Sequence, residues 1–335
     1  MRRDQVALLS DSSTENEDRP TTTSSSNLRS INRRPSSGSR RNRRSRAMVE
    51  SPLPLPVKLI IIEGILLYVL GFGFEGAFRI RGPPSRGFFC NDLSIRLHKE
   101  EEIVPIFWLV VFIYACGFLP VIFTEMYRLL KYDPGRFYSQ YERFRGKGAR
   151  LGIRIVIFAG WFHVAFMSTW ALTATAKFSV GRFRPYYLEA CKPNIDLKNC
   201  FDTPTYFDES AYNCTGTNSH MIQEAHLSFF SGHASLSMAS AIFAVLYIQA
   251  RLVGKTVFKV GPILLQVILL SAALFIGFSR IVDHNHHPED VIVGIIVGMT
   301  LSIVVAIFCA KLFNERDENQ YEKDKKVMSN DSLVV

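Results

Sequence analysis

An all-α polytopic membrane protein with six transmembrane helices is the fold this sequence predicts. Three observations carry it. Of 335 residues 48% are hydrophobic, and they are gathered into long blocks rather than spread evenly. Each block is near the roughly twenty residues that a bilayer needs. The segments between blocks alternate in chemistry, basic ones against ones that hold cysteines, as expected when successive loops face opposite sides of a membrane.

Taken in order, residues 1–56 read as a disordered cytoplasmic tail rich in Ser, Thr and Arg. Its run "RRPSSGSRRNRRSR" supplies much of the net charge of +9. Such a run suits a nuclear address or a nucleic-acid arm. In a polytopic chain a positive-inside anchor or a contact with anionic lipid is the better account, and no nucleic-acid partner is expected. The first apolar block begins near Val57 and is expected to act as an uncleaved signal anchor. Spans are expected at 57–79, 103–130, 152–176, 232–253, 258–279 and 289–313. Residues 57–313 then form one transmembrane domain, and 314–335 a cytoplasmic tail.

In the sixth span Gly294 and Gly298 form a GxxxG, which lets a neighbouring helix approach closely. Between spans two and three, "GRFYSQYERFRGKGAR" reads as a basic loop or an interfacial helix. The closing "SLVV" is a frayed end or a carboxyl-terminal ligand for a scaffold domain.

The basic segments and both termini belong on the cytoplasmic side. The loops after spans one, three and five then lie outside. The sequon Asn213-Cys214-Thr215 falls in one of them, whereas the Asn330 sequon would be cytoplasmic and unused. Cys90, Cys191, Cys200 and Cys214 also fall in external loops, with three pairings open to them. Cys116 and Cys309 sit in apolar helices and read as core residues.

Three polar blocks share one membrane face whichever way up the chain sits: "KFSVGRFRP" after span three, "SFFSGHAS" opening span four, and "SRIVDHNHHPED" between spans five and six. Each suits an anion. Lys177 and Arg184 are seven apart, two helical turns, and project from one face if span three continues; snorkelling cations are the plainer account. Ser231-Gly232-His233 lies at a helix N-terminus, where free N–H groups favour phosphate; a simple serine cap is the alternative. Arg280 can fork onto phosphate oxygens. His286 and Asp290 are four apart, close enough for the carboxylate to orient the ring. Pro288 looks like the first residue of span six, which makes His287 its cap and gives Asp290 a second role in a capping box. His284, His286 and His287 are zinc ligands by type, but their spacing matches no familiar zinc pattern and three cations share the site, so neither metal nor cofactor is expected.

These blocks resemble the three-part signature KxxxxxxRP, SGH and SRxxxxxHxxxD of the lipid phosphate phosphatases, also called type-2 phosphatidic acid phosphatases, whose helical core is similar to that of the vanadium haloperoxidases. "PYYLEAC", "SFFSGHAS" and "YIQAR" extend the resemblance, which covers about residues 57–313. It implies that Lys177, Arg184 and Arg280 hold phosphate oxygens with donors from Ser231 and Gly232. His286 would attack phosphorus, oriented by Asp290, and His233 would protonate the departing alkoxide. Ser279 belongs to the signature without an assignable role. Where the family often carries a basic residue before the second block, this chain has His226; where it often has Trp-Ser in the third, this chain has Pro288-Glu289, an extra carboxylate beside the anion site.

The expected activity is metal-independent hydrolysis of lipid phosphates (phosphatidate, lysophosphatidate, sphingosine 1-phosphate, ceramide 1-phosphate) at the extracellular or lumenal leaflet, in the plasma membrane. The partners are those lipids and the bilayer, with association between copies left open. The alternatives are a lumenal phosphatase of a soluble ester, an inert lipid-binding relative, and a haloperoxidase, which would need vanadate.

Overall fold

The computed structural model describes residues 57–131, 147–198, 204–253 and 256–313. Both tails, Cys200, Asn330 and residues 132–146 of the basic loop lie outside the described residues. The chain starts with α1 (Val57–Arg81), then β1 (Phe88–Phe89), α2 (Ile106–Lys131), α3 (Lys147–Val180) and α4 (Tyr187–Cys191). It continues through β2 (Tyr206–Phe207), α5 (Ser219–Ala225), α6 (Gly232–Arg251), α7 (Gly261–Val282) and α8 (Pro288–Val304), and α8 ends in a π turn, Val305–Cys309.

Six of these helices are long and apolar enough to cross a membrane, which makes the chain an all-α, multi-pass integral membrane protein. Span five begins and ends about three residues later than its composition suggested. Pro262 fits the first turn of α7, and the helix runs past Arg280 because that guanidinium pairs one turn on with Asp283. Span six stops being α-helical at Val304, earlier than 313.

Helix α6 is the centre of the bundle and packs on α2, α3, α7 and α8. Of its most apolar stretch 67% is buried, against 6% for α1, which leans on α3. The sequence of α6 explains this: Ala234, Ser235, Ser237, Ala239, Ser240, Ala241 and Ala244 are all buried, and small side chains let helices meet closely without a hydrophobic drive from water. The glycines of the GxxxG meet this face. A Cβ on Gly294 would stand 2.8 Å from the Ser231 carbonyl oxygen, and one on Gly298 would collide with that of Ser235. Ser302 Oγ donates to the Ala239 carbonyl at 2.6 Å, and Thr173 and Ser235 share a hydroxyl contact of 3.0 Å.

At the end of the bundle where α3 begins, Arg154 donates to Glu125 at 2.6 Å, and the Tyr247 hydroxyl donates to the other carboxylate oxygen at 2.7 Å. All three side chains are buried, so this cluster joins α2, α3 and α6.

At the opposite end the loops are not loose. Phe88, Phe183, Tyr187 and Tyr212 form a second, aromatic core. Phe183 stacks on Tyr187 at 3.8 Å between centroids, Phe88 meets Tyr212 edge-on at 5.1 Å, and the Tyr187 and Tyr212 hydroxyls are 2.9 Å apart. The β1–β2 pair and a Cys191–Cys214 disulfide brace this cap. Asn213, beside the disulfide, is exposed.

Candidate active site

The three polar blocks are stitched together by backbone hydrogen bonds. The Arg184 N–H donates to the Ala225 carbonyl at 2.8 Å and the Ser228 N–H to that of Arg182 at 2.9 Å, which ties the first block to the second. The Ser231 N–H donates to the Asp290 carbonyl at 3.0 Å, which ties the second to the third. Lys177 and Arg184 do not share a helix face. Helix α3 ends at Val180, and Gly181 takes φ +59°, a left-handed conformation that glycine adopts without cost. A Cβ there would also strike Pro84. The turn carries Arg184 back over the end of the bundle, where it is buried.

One cavity of about 400 Å³ lies at this end, and Lys177, Arg184, Gly232, His233, Arg280 and His286 all line it. Its lining also includes the apolar side chains Ile106, Leu109, Trp170, Phe178 and Leu236 from the spanning helices. Arg184 Nε, Arg280 Nε and His233 Nε2 are buried and have no hydrogen-bond partner among the described residues, as does Trp170 Nε1. Buried donors are rarely left so, because each unmade bond costs roughly 1–3 kcal/mol. The two other nitrogens of Arg184 donate to Asn285 Oδ1 at 3.1 Å and to Glu224 at 2.9 Å, whereas Arg280 has an ion pair with Asp283, stands 3.8 Å from Glu102, and leaves Nη2 as well as Nε without a hydrogen-bond partner among the described residues.

Ser231 is placed differently from Gly232. Its Oγ caps α6, accepting from the Ala234 N–H at 3.4 Å, and it does not line the cavity. Gly232 does line it, and a Cβ added there would meet only Thr173 Cγ2 at 3.7 Å, an ordinary contact. Gly232→Ala is therefore expected to fold with unchanged thermal stability and yet raise KM severalfold, because the methyl group would occupy space beside the helix N-terminus. Paired melting curves and kinetics check this; an equal loss of stability would place the role of Gly232 in packing.

His286 is buried and its Nδ1 stands 3.9 Å from Asp290 Oδ2, beyond hydrogen-bond reach. Ser228 Oγ lies between them, 2.5 Å from that oxygen and 3.5 Å from Nδ1. Asp290 also accepts from the His287 backbone N–H at 3.1 Å, which closes the capping box, and from Arg182 at 2.8 Å. The carboxylate thus fixes the start of α8 and reaches the imidazole through a hydroxyl.

Ser228 and Arg182 were missed by sequence reasoning. Serine before a helix reads as a cap and arginine at a span end as snorkelling, and no local spacing distinguishes these two. The three histidines do not converge: His284 Nδ1 meets the His98 carbonyl at 2.6 Å, His287 turns to Asp290 at 3.2 Å, and of the three His286 alone lines the cavity. The expected position of Glu289 needs correction. Glu289 is exposed and pairs with Arg182 at 3.2 Å, and it is not among the residues that line the cavity. His226 packs edge-on against Phe183 and Tyr187 in the aromatic cap.

Burial pushes the His286 imidazole down to about 3; Asp290 opposes the shift, while Arg184 and Lys177 add to it. A depressed histidine pKa extends the neutral, nucleophilic form to lower pH. NMR titration of the ligand-free protein is therefore expected to show the His286 ring still neutral from about pH 7 to about pH 5. Protonation with a midpoint at the ordinary imidazole value would contradict this environment.

The PAP2 superfamily model matches residues 158–314, the stretch that holds all three blocks. Phospholipid phosphatase homolog 1.2 homolog of Caenorhabditis elegans is 31% identical over 276 residues, covering 76% of this chain and 80% of that protein. The chain belongs to the phospholipid phosphatase family. Mouse phospholipid phosphatase 1 is 30% identical across 80% of this chain and 89% of its own length, and human phospholipid phosphatase 2 is 27% identical across 82% and 91%. No solved structure shows a significant match. Within this family member the superfamily match begins in the middle of α3, so α1 and α2, which supply Glu75, Arg79, Ile106 and Leu109 to the cavity, lie outside it.

Proposed function

We propose that this phosphatidate phosphatase-type hydrolase cleaves lipid phosphate monoesters at the extracellular or lumenal leaflet through a phosphohistidine. The observation that carries the reading is the set of buried, unpartnered nitrogens Arg184 Nε, Arg280 Nε and His233 Nε2 on residues lining one cavity at the end of the spanning bundle. A phosphate dianion would satisfy all three. Lys177 adds charge, and the α6 N-terminus at Gly232 adds backbone donors.

His286 Nδ1 is turned toward Ser228 and Asp290, which leaves Nε2 to attack phosphorus. A P–N bond forms as the P–O ester bond breaks, and the alkoxide takes the proton of His233. Water, relieved of a proton by His233, then attacks phosphorus and the P–N bond breaks to release inorganic phosphate. Phosphoryl transfer asks mainly for positioning and neutralised charge, which the arginines and Lys177 would supply without a metal ion.

The apolar lining of Ile106, Leu109, Trp170, Phe178 and Leu236 favours a lipid over a soluble ester. Phosphatidate, lysophosphatidate, sphingosine 1-phosphate and ceramide 1-phosphate all carry the required monoester. With both termini in the cytoplasm the cavity opens on the outer side, the plasma membrane is the expected location, and exposed Asn213 would be available for glycosylation. Purified protein assayed against lysophosphatidate and a sugar phosphate, with and without EDTA, tests the reading. Lipid-selective release that survives EDTA supports it; preference for the sugar phosphate favours the soluble-ester alternative, and no release from either overturns the activity.

A further inference from the structure

A chain of ion pairs runs from the peripheral helix α1 into the phosphate clamp. Glu75 holds Arg79 at 2.8 Å, Arg79 donates to Glu224 Oε1 at 3.3 Å, Arg184 donates to Glu224 Oε2 at 2.9 Å, and Arg184 reaches on to Asn285 at 3.1 Å. Glu75, Arg79, Glu224 and Arg184 all line the cavity. None of the four except Arg184 belongs to the three polar blocks. Glu224 is the unexpected member, a carboxylate bonded to the very guanidinium that is read as a phosphate ligand. Burial alone would raise its pKa, but Arg184, Lys177 and Arg79 together bring it below the ordinary value, so it is charged at neutral pH.

We propose that Glu224 is a positioning residue that competes with the substrate phosphate for Arg184, and that Arg79 on α1 sets how strongly it competes. This rests on the phosphatase reading. A carboxylate at 2.9 Å orients Arg184 and also cancels part of its field at the cavity. Arg79, bonded to the other oxygen, draws some of that negative charge away from Arg184. The arrangement holds phosphate affinity at an intermediate level, so that inorganic phosphate, the product, leaves.

Inhibition by inorganic phosphate reads this directly, because opposite signs are expected for two residues in one chain of contacts. Glu224→Gln is expected to tighten phosphate inhibition about tenfold and to lower the KM for lysophosphatidate without raising kcat, the size of change given by one charged hydrogen bond. Arg79→Ala is expected to weaken phosphate inhibition severalfold and to have no effect in the Glu224→Gln background. Glu224→Asp, which keeps the charge, should restore the unmodified behaviour.

A merely structural role would weaken phosphate inhibition in every variant. Weaker inhibition in Glu224→Gln, or an Arg79→Ala effect that persists in that background, overturns the proposal. Should Glu224→Gln not fold, Arg79→Ala against Arg79→Lys carries the same test: weakening in the first and not the second supports it, and equal behaviour overturns it. Unmodified protein that releases no phosphate from lysophosphatidate would sink the phosphatase reading itself, whereas an active protein indifferent to these changes sinks only this inference.

Discussion

His286→Ala is expected to lower turnover of lysophosphatidate by at least about 10⁴-fold, because the group proposed to form the covalent bond would be gone and water in its place would have no base aligned for it. The loss should appear in kcat, with KM little changed, since Arg184, Lys177 and Arg280 would still hold the phosphate. The fold should tolerate the change. His286 lines the cavity rather than the packed interior, and its Nδ1 has only the long 3.5 Å contact with Ser228 to lose. The control is Ser228→Ala, expected to be milder: it removes the hydroxyl that bridges Asp290 to the ring and leaves the nucleophile in place. Full turnover in His286→Ala at undiminished expression would contradict the assignment of the attacking ring.

The second large effect lies at the other end of the bundle. Arg154→Met is expected to destabilise the protein by roughly 3–5 kcal/mol, since removing one partner of a buried ion pair leaves the other charge without compensation. Glu125 is 1% exposed and would keep the Tyr247 hydroxyl as its partner among the described residues. A loss of this size is a large part of the 5–15 kcal/mol typical of folded domains. Thermal unfolding of detergent-solubilised protein checks it, with Arg154→Lys as the charge-retaining comparison. The same melting temperature in Arg154→Met and in the unmodified protein would show that the cluster does not hold α2, α3 and α6 together. Activity per folded molecule should be unchanged, because none of these residues lines the active-site cavity.

How far the sequence could be read follows from the range of the physics involved. The spans were legible because a bilayer imposes one length and one composition on any helix that crosses it. The cap of α8 was legible because Pro288 and Asp290 act within a single turn, and the structure shows the bond from the His287 backbone. The GxxxG at Gly294 and Gly298 was visible, but its partner, the serine- and alanine-rich face of α6, was not. The three polar blocks could be placed on one membrane face by counting crossings.

Contacts set by tertiary folding were out of reach. Helix α3 could be expected to continue through Arg184, and only the left-handed Gly181, pressed against Pro84, shows why it stops. The aromatic cap unites Phe88 and Tyr212 with the neighbouring Phe183 and Tyr187, and those three stretches are far apart in sequence. Ser228 and Glu224 escaped notice for a related reason. Ser228 bonds to Asp290 and Glu224 to Arg184, both far away in sequence, so neither has a sequence neighbour that reveals its partner.

The most direct test of the central claim is an experimental structure with orthovanadate, which takes the geometry of phosphorus during transfer. The account predicts the anion bonded to His286 Nε2 and within hydrogen-bond distance of Arg184 Nε, Arg280 Nε and His233 Nε2. An anion seated away from these four atoms, or a protein that binds none while its bundle is intact, would contradict the shared cationic pocket on which the proposed chemistry depends.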